Sequence, residues 1–232
     1  MSARPSQDAL TVRRLRLGVG VLGIALPFLV IAGDAVRAGR LVLLDSISAY
    51  YHTDGRDVFV GSMCAIGVFL ICYRYARIDD VLSTVAGALS IVVALLPAAT
   101  AGADGTDRLI GRLHQLAAAA LFLLLAAFCF LFAHTGPSRP RVTAEKPGRD
   151  PLYRGCGVVI LVAVALALAS NALPPATQDA VRPLLWCEIV AVLAFGVAWL
   201  AKGQAIIADT GGVVAPDTGP TERVPAEEHP VP

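Results

Sequence analysis

Long apolar runs dominate this chain, separated by short segments that carry most of its charge. A hydrocarbon core about 30 Å thick needs about 20 mostly apolar residues in a helix that rises 1.5 Å per residue. Six runs reach or approach that length: Leu17–Gly33, Val58–Tyr73, Val81–Ala103, Leu113–Thr135, Gly155–Gln178 and Pro183–Ala201. The first two are short and need flanking residues to span, and the last is interrupted by Glu188.

The pattern predicts helices, because lipid offers no hydrogen-bond partners and each run must satisfy its own backbone. The alternation of apolar and polar residues that is typical of a membrane barrel is absent from these runs. A composition of 56% hydrophobic and 16% charged residues also leaves too little polar surface for a soluble domain of this size. We therefore expect an all-α polytopic membrane protein with a bundle of six transmembrane helices. Its predicted parts are a cytoplasmic N-terminal segment (1–16), the transmembrane domain (17–203) and a disordered cytoplasmic tail (204–232).

Lys and Arg residues predict the orientation, since they are retained in cytoplasmic segments. The chain has 19 of them. Thirteen lie on one predicted side of the membrane: before the first run, between the second and third, between the fourth and fifth, and after the sixth. The other 6 lie in the loops on the opposite side. This bias predicts a multi-pass protein of the plasma membrane, the bacterial inner membrane, with both termini in the cytoplasm. A secretory signal, cleaved near Val30 and Ala32, is an alternative for the basic start and first run.

Charge and motifs limit the classes of partner. A net charge of +1 provides no basic field for nucleic acid, so none is expected as a partner. No cofactor motif is present, and none is expected to be bound. The expected partners are membrane lipid and a partner membrane subunit.

The loop between the first two runs contains the densest group of polar side chains. The segment 45–57 combines carboxylates, hydroxyls, aromatic rings, a guanidinium and an imidazole in thirteen positions. One interpretation is structural: tyrosines favour the headgroup layer, and Ser and Asp cap helices. The other is a binding site open to the outer leaflet, with these candidate residues in the loop: Asp45, Ser46, Ser48, Tyr51, His52, Arg56 and Asp57.

Two ionisable residues in later runs are predicted at the same depth. His114 begins the fourth run on the outer side, and Glu188 lies about one turn into the sixth. A carboxyl group inside a span is costly, so it indicates a functional site if it has a partner. For Glu188 we expect Arg56, His114 or His52 as that partner. A structural ion pair and a histidine bonded to a neighbouring carbonyl are the alternatives.

A family resemblance rests on four segments: SISAYYHTDGRDVFVGSMCAIGVFLICYRY, AGALSIVVALLP, LHQLAAAALF and WCEIVAVLAFGVAWLAKG. Over roughly residues 15–205 the chain resembles the uncharacterised bacterial six-span family known as domain of unknown function 998. It is more distantly similar to membrane proteins of the DRAM and Sfk type. The resemblance implies a six-helix integral membrane protein and no particular reaction.

Three functional classes are left open, and catalytic residues are unknown. The first is a protein that binds a lipid or a partner through an outer-leaflet polar pocket. The second is a small-solute transporter, although internal repeats are absent. The third is a metal-dependent lipid hydrolase similar to alkaline ceramidases, with ligands drawn from Ser46 or Ser48, His52, Asp57, His114 and Glu188. The late HxxxH pair of that superfamily is missing, so no metal is predicted and His52 and His114 are only weak candidates.

Overall fold

The computed structural model describes residues 7–73, 77–100, 102–134 and 146–210. These residues form helices and no strand, which confirms the all-α prediction for this part of the chain. The α-helices are α1 (Gln7–Ala38), α2 (Arg56–Cys72), α3 (Arg77–Leu95), α4 (Gly105–His134), α5 (Lys146–Ser170), α6 (Pro175–Val181) and α7 (Pro183–Thr210). A short 3-10 helix covers Ser48–His52, between α1 and α2.

Four of the described helices are long and apolar enough to cross a membrane. Their spanning segments are Leu10–Ala38, Gly105–Ala133, Asp150–Ser170 and Pro183–Gly203. In α3 the apolar part is the shorter segment Asp80–Leu95. Helix α2 has 17 residues and begins with Arg56 and Asp57, so its length of about 25 Å is less than a bilayer core. The structure therefore supports a membrane protein with four candidate spans, and six is not established.

The first and last helices extend beyond the predicted ends of the transmembrane domain, residues 17 and 203. Helix α1 already begins at Gln7 rather than near 17, and α7 continues to Thr210 rather than ending at 203. Charged residues such as Arg13 and Lys202 are good helix formers, so a change in polarity does not end a helix. The predicted tail beyond 210 and residues 1–6 lie outside the described residues.

Six long helices form a ring. Helices α1, α2, α3 and α4 each pack against the next in the chain, α5 packs on α7, and α7 closes the ring against α1. The segments 39–55, 96–100, 102–104 and 171–182 lie at one end of the bundle, which we call the loop end. Its other end, the opposite end, is where α1 begins and α7 finishes.

Glycines allow two pairs of helices in this ring to approach closely. A Cβ atom at Gly67 would lie 2.7 Å from the carbonyl oxygen of Gly87, so α2 and α3 nearly touch backbone to backbone. Between α1 and α7, a Cβ atom at Gly196 would lie 3.0 Å from the carbonyl oxygen of Gly20. Small residues at helix contacts are typical of membrane bundles, where close van der Waals packing replaces the hydrophobic effect.

Aromatic rings fill the opposite end of the bundle. Trp199 is fully buried, and its ring makes edge or tilted contacts with those of Tyr73, Phe128, Phe132 and Phe195 at centroid distances of 5.3–5.7 Å. Arg16 is also buried there, donates to the Tyr73 hydroxyl and lies 4.9 Å from the Tyr73 ring centroid. Aromatic side chains therefore pack this end of the ring.

Candidate functional site

Loop 39–55 folds over the loop end of the bundle. Helix α1 ends where Gly39 adopts a φ of 66°, a left-handed conformation that glycine accepts without strain. The chain then continues to Ser46, whose Oγ accepts a hydrogen bond from Ala49 N–H at 3.0 Å and so supports the start of the 3-10 helix. The Ser46 and Ser48 hydroxyls are 3.1 Å apart, and both residues are buried.

Two side chains of the 3-10 helix hold the loop against its neighbours. Tyr50 is fully buried, and its hydroxyl donates to the carbonyl of Val42 at 3.3 Å. Burial raises the pKa of the Tyr50 phenol, so the hydroxyl keeps its proton at neutral pH. His52 Nε2 lies 2.8 Å from the carbonyl oxygen of Ala98, to which it donates. The loop is thus tied both to itself and to the segment between α3 and α4.

Glu188 joins the loop to α7. Its Oε2 accepts a hydrogen bond of 2.6 Å from the backbone N–H of Ile47, a buried residue. The sequence-based expectation of Arg56, His114 or His52 as the partner is wrong for this contact. Arg56 instead donates to the Tyr51 hydroxyl at 2.8 Å, with its guanidinium 4.4 Å from the Tyr51 ring centroid.

His114 is buried beneath the segment between α3 and α4. It is 3% exposed, and its Nδ1 lies 2.7 Å from the carbonyl oxygen of Leu96. Since a carbonyl oxygen only accepts, Nδ1 carries the proton in this contact and Nε2 of the neutral ring is an acceptor. The contact with a nearby carbonyl is the structural alternative that the sequence left open for this residue.

A cavity of about 60 Å³ lies inside the ring below loop 39–55. Its polar lining comes from the loop, α3, α4 and α7 and consists of Ser48, Ser90, His114 and Glu188. Its apolar lining comes from α1, the loop, α2, α3, α4 and α7: Gly23, Leu26, Ile47, Phe59, Met63, Ile66, Leu70, Val93, Ala118, Leu121, Phe122, Leu125, Val192 and Phe195. Every helix of the ring except α5 therefore contributes to this cavity.

The structure brings some predicted site residues together and separates others. Ser48, His114 and Glu188 line the cavity, and Ser46 contacts Ser48 from outside it. Asp45 is 74% exposed and pairs with Arg182 at 3.7 Å. The remaining candidates, Tyr51, His52, Arg56 and Asp57, do not line the cavity. The polar loop is thus divided between an inward-facing part and a surface part.

Two polar residues of this region were missed from the sequence. Ser90 lines the cavity, and its hydroxyl donates to the carbonyl of Met63 at 2.8 Å. Asp34 is buried near the end of α1, close to Gly55. Serine is common in spans and gives no distinct signal, but an aspartate directly after the charge-free run 17–33 could have been noticed.

The metal-ligand sets expected for a hydrolase are not assembled in the described residues. Within them, no group of three or more His, Cys, Asp or Glu side chains is placed to hold a metal ion. His52 and His114 each use one ring nitrogen to contact a backbone carbonyl. What the residues can do is accept and donate hydrogen bonds at the polar end of an otherwise apolar cavity.

Comparisons of this chain with protein-family models, with curated proteins and with solved structures give no match.

Proposed function

We propose that this protein is an integral membrane protein that binds a membrane lipid or a lipid-like amphiphile in its loop-end cavity. The observation that carries this proposal is the polarity of the lining. Ser48, His114 and Glu188 lie toward the loop end, whereas Leu70, Leu125 and Phe195 lie deeper in the ring. Such a lining suits a ligand with a hydrogen-bonding end and an apolar chain.

The size and walls of the cavity favour an apolar occupant over water. A volume of 60 Å³ has room for about four water molecules. A buried water needs two to four polar partners, however, and the deeper part of the lining consists of aliphatic and aromatic side chains. A short apolar group fits these walls better, with the polar group of the same ligand beside it in contact with Glu188, His114 and Ser48. A cavity of this volume holds only that end of the ligand, so the rest of an acyl chain would lie outside it.

The opposite end of the ring supports binding rather than transport. Trp199 and the four rings around it occupy the route from the cavity toward the opposite end. A transporter requires access from both sides in turn, which these rings would have to open. Binding within the membrane requires access only from the loop end or from the lipid.

Native mass spectrometry of the full chain in detergent, with extraction of bound lipids, tests the proposal. We expect a co-purified amphiphile in the wild type and its loss in Ala118→Leu, because the added side chain occupies the cavity that Ala118 lines. Ala165→Leu is the matched control, since Ala165 is exposed on α5, which does not line the cavity. Equal lipid content in both variants would contradict the proposal.

Orientation and span number belong to the same proposal. We propose that α2 and α3 also cross the membrane, as two neighbours in a ring whose other members are long enough to span. Short spans are accommodated by local thinning of the bilayer. The distribution of Lys and Arg supports an orientation with the loop end outside and both termini in the cytoplasm. The resemblance to the uncharacterised six-span family implies the same arrangement, and membership in that family stays a prediction.

Reporter fusions test the orientation. An alkaline phosphatase fused after Pro232 should be inactive, and one inserted within 102–108 should be active, because that enzyme folds only outside the cytoplasm. A fluorescent protein that folds only in the cytoplasm should give the reverse pattern. An active phosphatase after Pro232 would show that the predicted orientation is wrong.

A further inference from the structure

A second open space lies on the outside of the bundle, between the end of α1 and the start of α2. We call it the rim groove, and its volume is about 540 Å³. Its lining consists of Leu29, Ala32, Gly33, Val36, Arg37, Asp54, Asp57 and Val58. It shares no lining residue with the loop-end cavity, so an inference about it does not rest on the proposed function.

The apolar part of the rim groove is continuous with an exposed apolar surface of α1. Val36 is 81% exposed, and Leu29 and Phe28 are about half exposed on the same helix. Helix α1 is among the four helices that are long and apolar enough to span. An acyl chain could therefore enter the groove sideways from the bilayer, without passing through the bundle.

Charged groups of both signs line the groove at its loop end. Arg37 lies in the last turn of α1, Asp57 in the first turn of α2, and Asp54 just before α2. Arg37 donates from Nη1 to the backbone carbonyl of Asp54 at 3.5 Å. Among the described residues, no ion pair within 4.0 Å joins Arg37 to the carboxylate of Asp54 or Asp57. One guanidinium and two carboxylates thus line the groove at the end of the candidate span Leu10–Ala38, where lipid headgroups would lie.

These charges match one class of lipid. A guanidinium binds a phosphate through parallel N–H donors. Carboxylates accept hydrogen bonds from a primary ammonium group, which has three donors, whereas a trimethylated ammonium has none. A headgroup that carries both a phosphate and a primary amine satisfies both kinds of side chain. A headgroup with only negative charge would meet the two carboxylates unfavourably.

We propose that the rim groove is a binding site for a zwitterionic phospholipid with a primary amine, of the phosphatidylethanolamine class. Arg37 binds its phosphate, and Asp54 and Asp57 accept hydrogen bonds from its ammonium group. One acyl chain lies against Leu29 and Val36. The site is separate from the cavity below loop 39–55.

Glycine 33 offers a way to block the groove without disturbing the bundle. A Cβ atom at Gly33 would meet only Val58 Cγ2, at 3.8 Å, which is an ordinary contact. A leucine there therefore extends into the groove rather than into a packed helix. Gly61 provides the matched control, because a Cβ atom there would meet nothing within 4 Å and Gly61 does not line the groove.

The experiment measures lipid binding to the full chain by native mass spectrometry after titration with phosphatidylethanolamine, phosphatidylcholine or phosphatidylglycerol. The wild type should prefer phosphatidylethanolamine. Arg37→Gln should weaken that binding by about tenfold or more, which is the loss expected for a charge-assisted contact. Gly33→Leu should also weaken it, because the added side chain occupies the groove. Gly61→Leu and Arg40→Gln should bind like the wild type, since neither residue lines the groove.

The two carboxylates have a more specific signature. The double variant Asp54→Asn, Asp57→Asn should lose the preference for phosphatidylethanolamine over phosphatidylcholine, because both lipids share the phosphate and differ at the amine.

Equal binding of the three lipids by the wild type would overturn the proposal. A preference for phosphatidylethanolamine that survives both Gly33→Leu and Arg37→Gln would also overturn it. Cross-links from Val36 to a second copy or to another protein would overturn it too, because they would make the groove a protein interface. Ala118→Leu should leave the headgroup preference unchanged, which separates this result from that of the cavity.

Discussion

Gly67→Leu is expected to cause a large loss of stability, because Gly67 lies where α2 and α3 approach most closely backbone to backbone. The carbonyl oxygen of Gly87 would lie 2.7 Å from a Cβ atom at Gly67, and the Ile91 side chain would lie equally close. A backbone atom on the facing helix cannot rotate away, so α2 and α3 would have to separate. Overpacking of this kind costs about 3 kcal/mol, or a melting temperature about 10 °C lower for a chain of this size.

The measurement is a thermal melt of the detergent-purified protein. Gly61→Leu is the control on the same helix, because it adds the same side chain where no atom lies within 4 Å. It also has the same effect on helix propensity. If the two variants melt at the same temperature, the close approach of α2 and α3 does not contribute to stability as the structure implies.

Glu188 variants are expected to separate the structural from the binding role of this carboxyl group. In Glu188→Gln, the amide oxygen can still accept the hydrogen bond from Ile47 N–H, so we expect the melting temperature to stay near the wild type. In Glu188→Leu, the N–H of a buried residue loses its acceptor. An unsatisfied buried group costs about 1–3 kcal/mol.

Ligand content distinguishes the two roles. If the carboxyl group contacts the polar end of the bound amphiphile, both variants should lose it, although only Glu188→Leu loses stability. A Glu188→Gln protein with unchanged stability and unchanged ligand content would limit Glu188 to holding the loop. Asp45→Asn is the matched control, because it removes a carboxylate from the loop that Glu188 contacts. Its pair with Arg182 is exposed and contributes about 0–1 kcal/mol at most.

Hydrophobic patterning was sufficient for the helical class and for the position of most helices. Runs such as Leu113–Thr135 and Pro183–Ala201 contain few polar groups and must bond their own backbone, so a helix follows from composition alone. The number of spans did not follow in the same way. Helix α2 begins with charged residues and has only 17 residues, so its composition and length do not establish that it spans the membrane.

The candidate site, like the fold, could be predicted from the sequence only in part. The density of polar residues in 45–57, the position of His114 at the start of the fourth run and the isolated Glu188 pointed to the loop end and to three of the four polar residues in the cavity. The partner of Glu188 could not be found in this way. Its carboxylate accepts from the backbone N–H of Ile47, a group that every residue except proline has and that no sequence pattern distinguishes.

By itself, the sequence determined that this chain forms apolar helices, and it indicated which end of them carries polar chemistry, because both depend on local composition. Only the tertiary structure decided which side chains face one another. Helix packing brought Gly67 against Gly87, turned Ser48 inward and Asp57 outward, and opened separate spaces inside and beside the bundle. These outcomes depend on how rigid helices rotate and cross, and that is set by contacts between residues far apart in the chain.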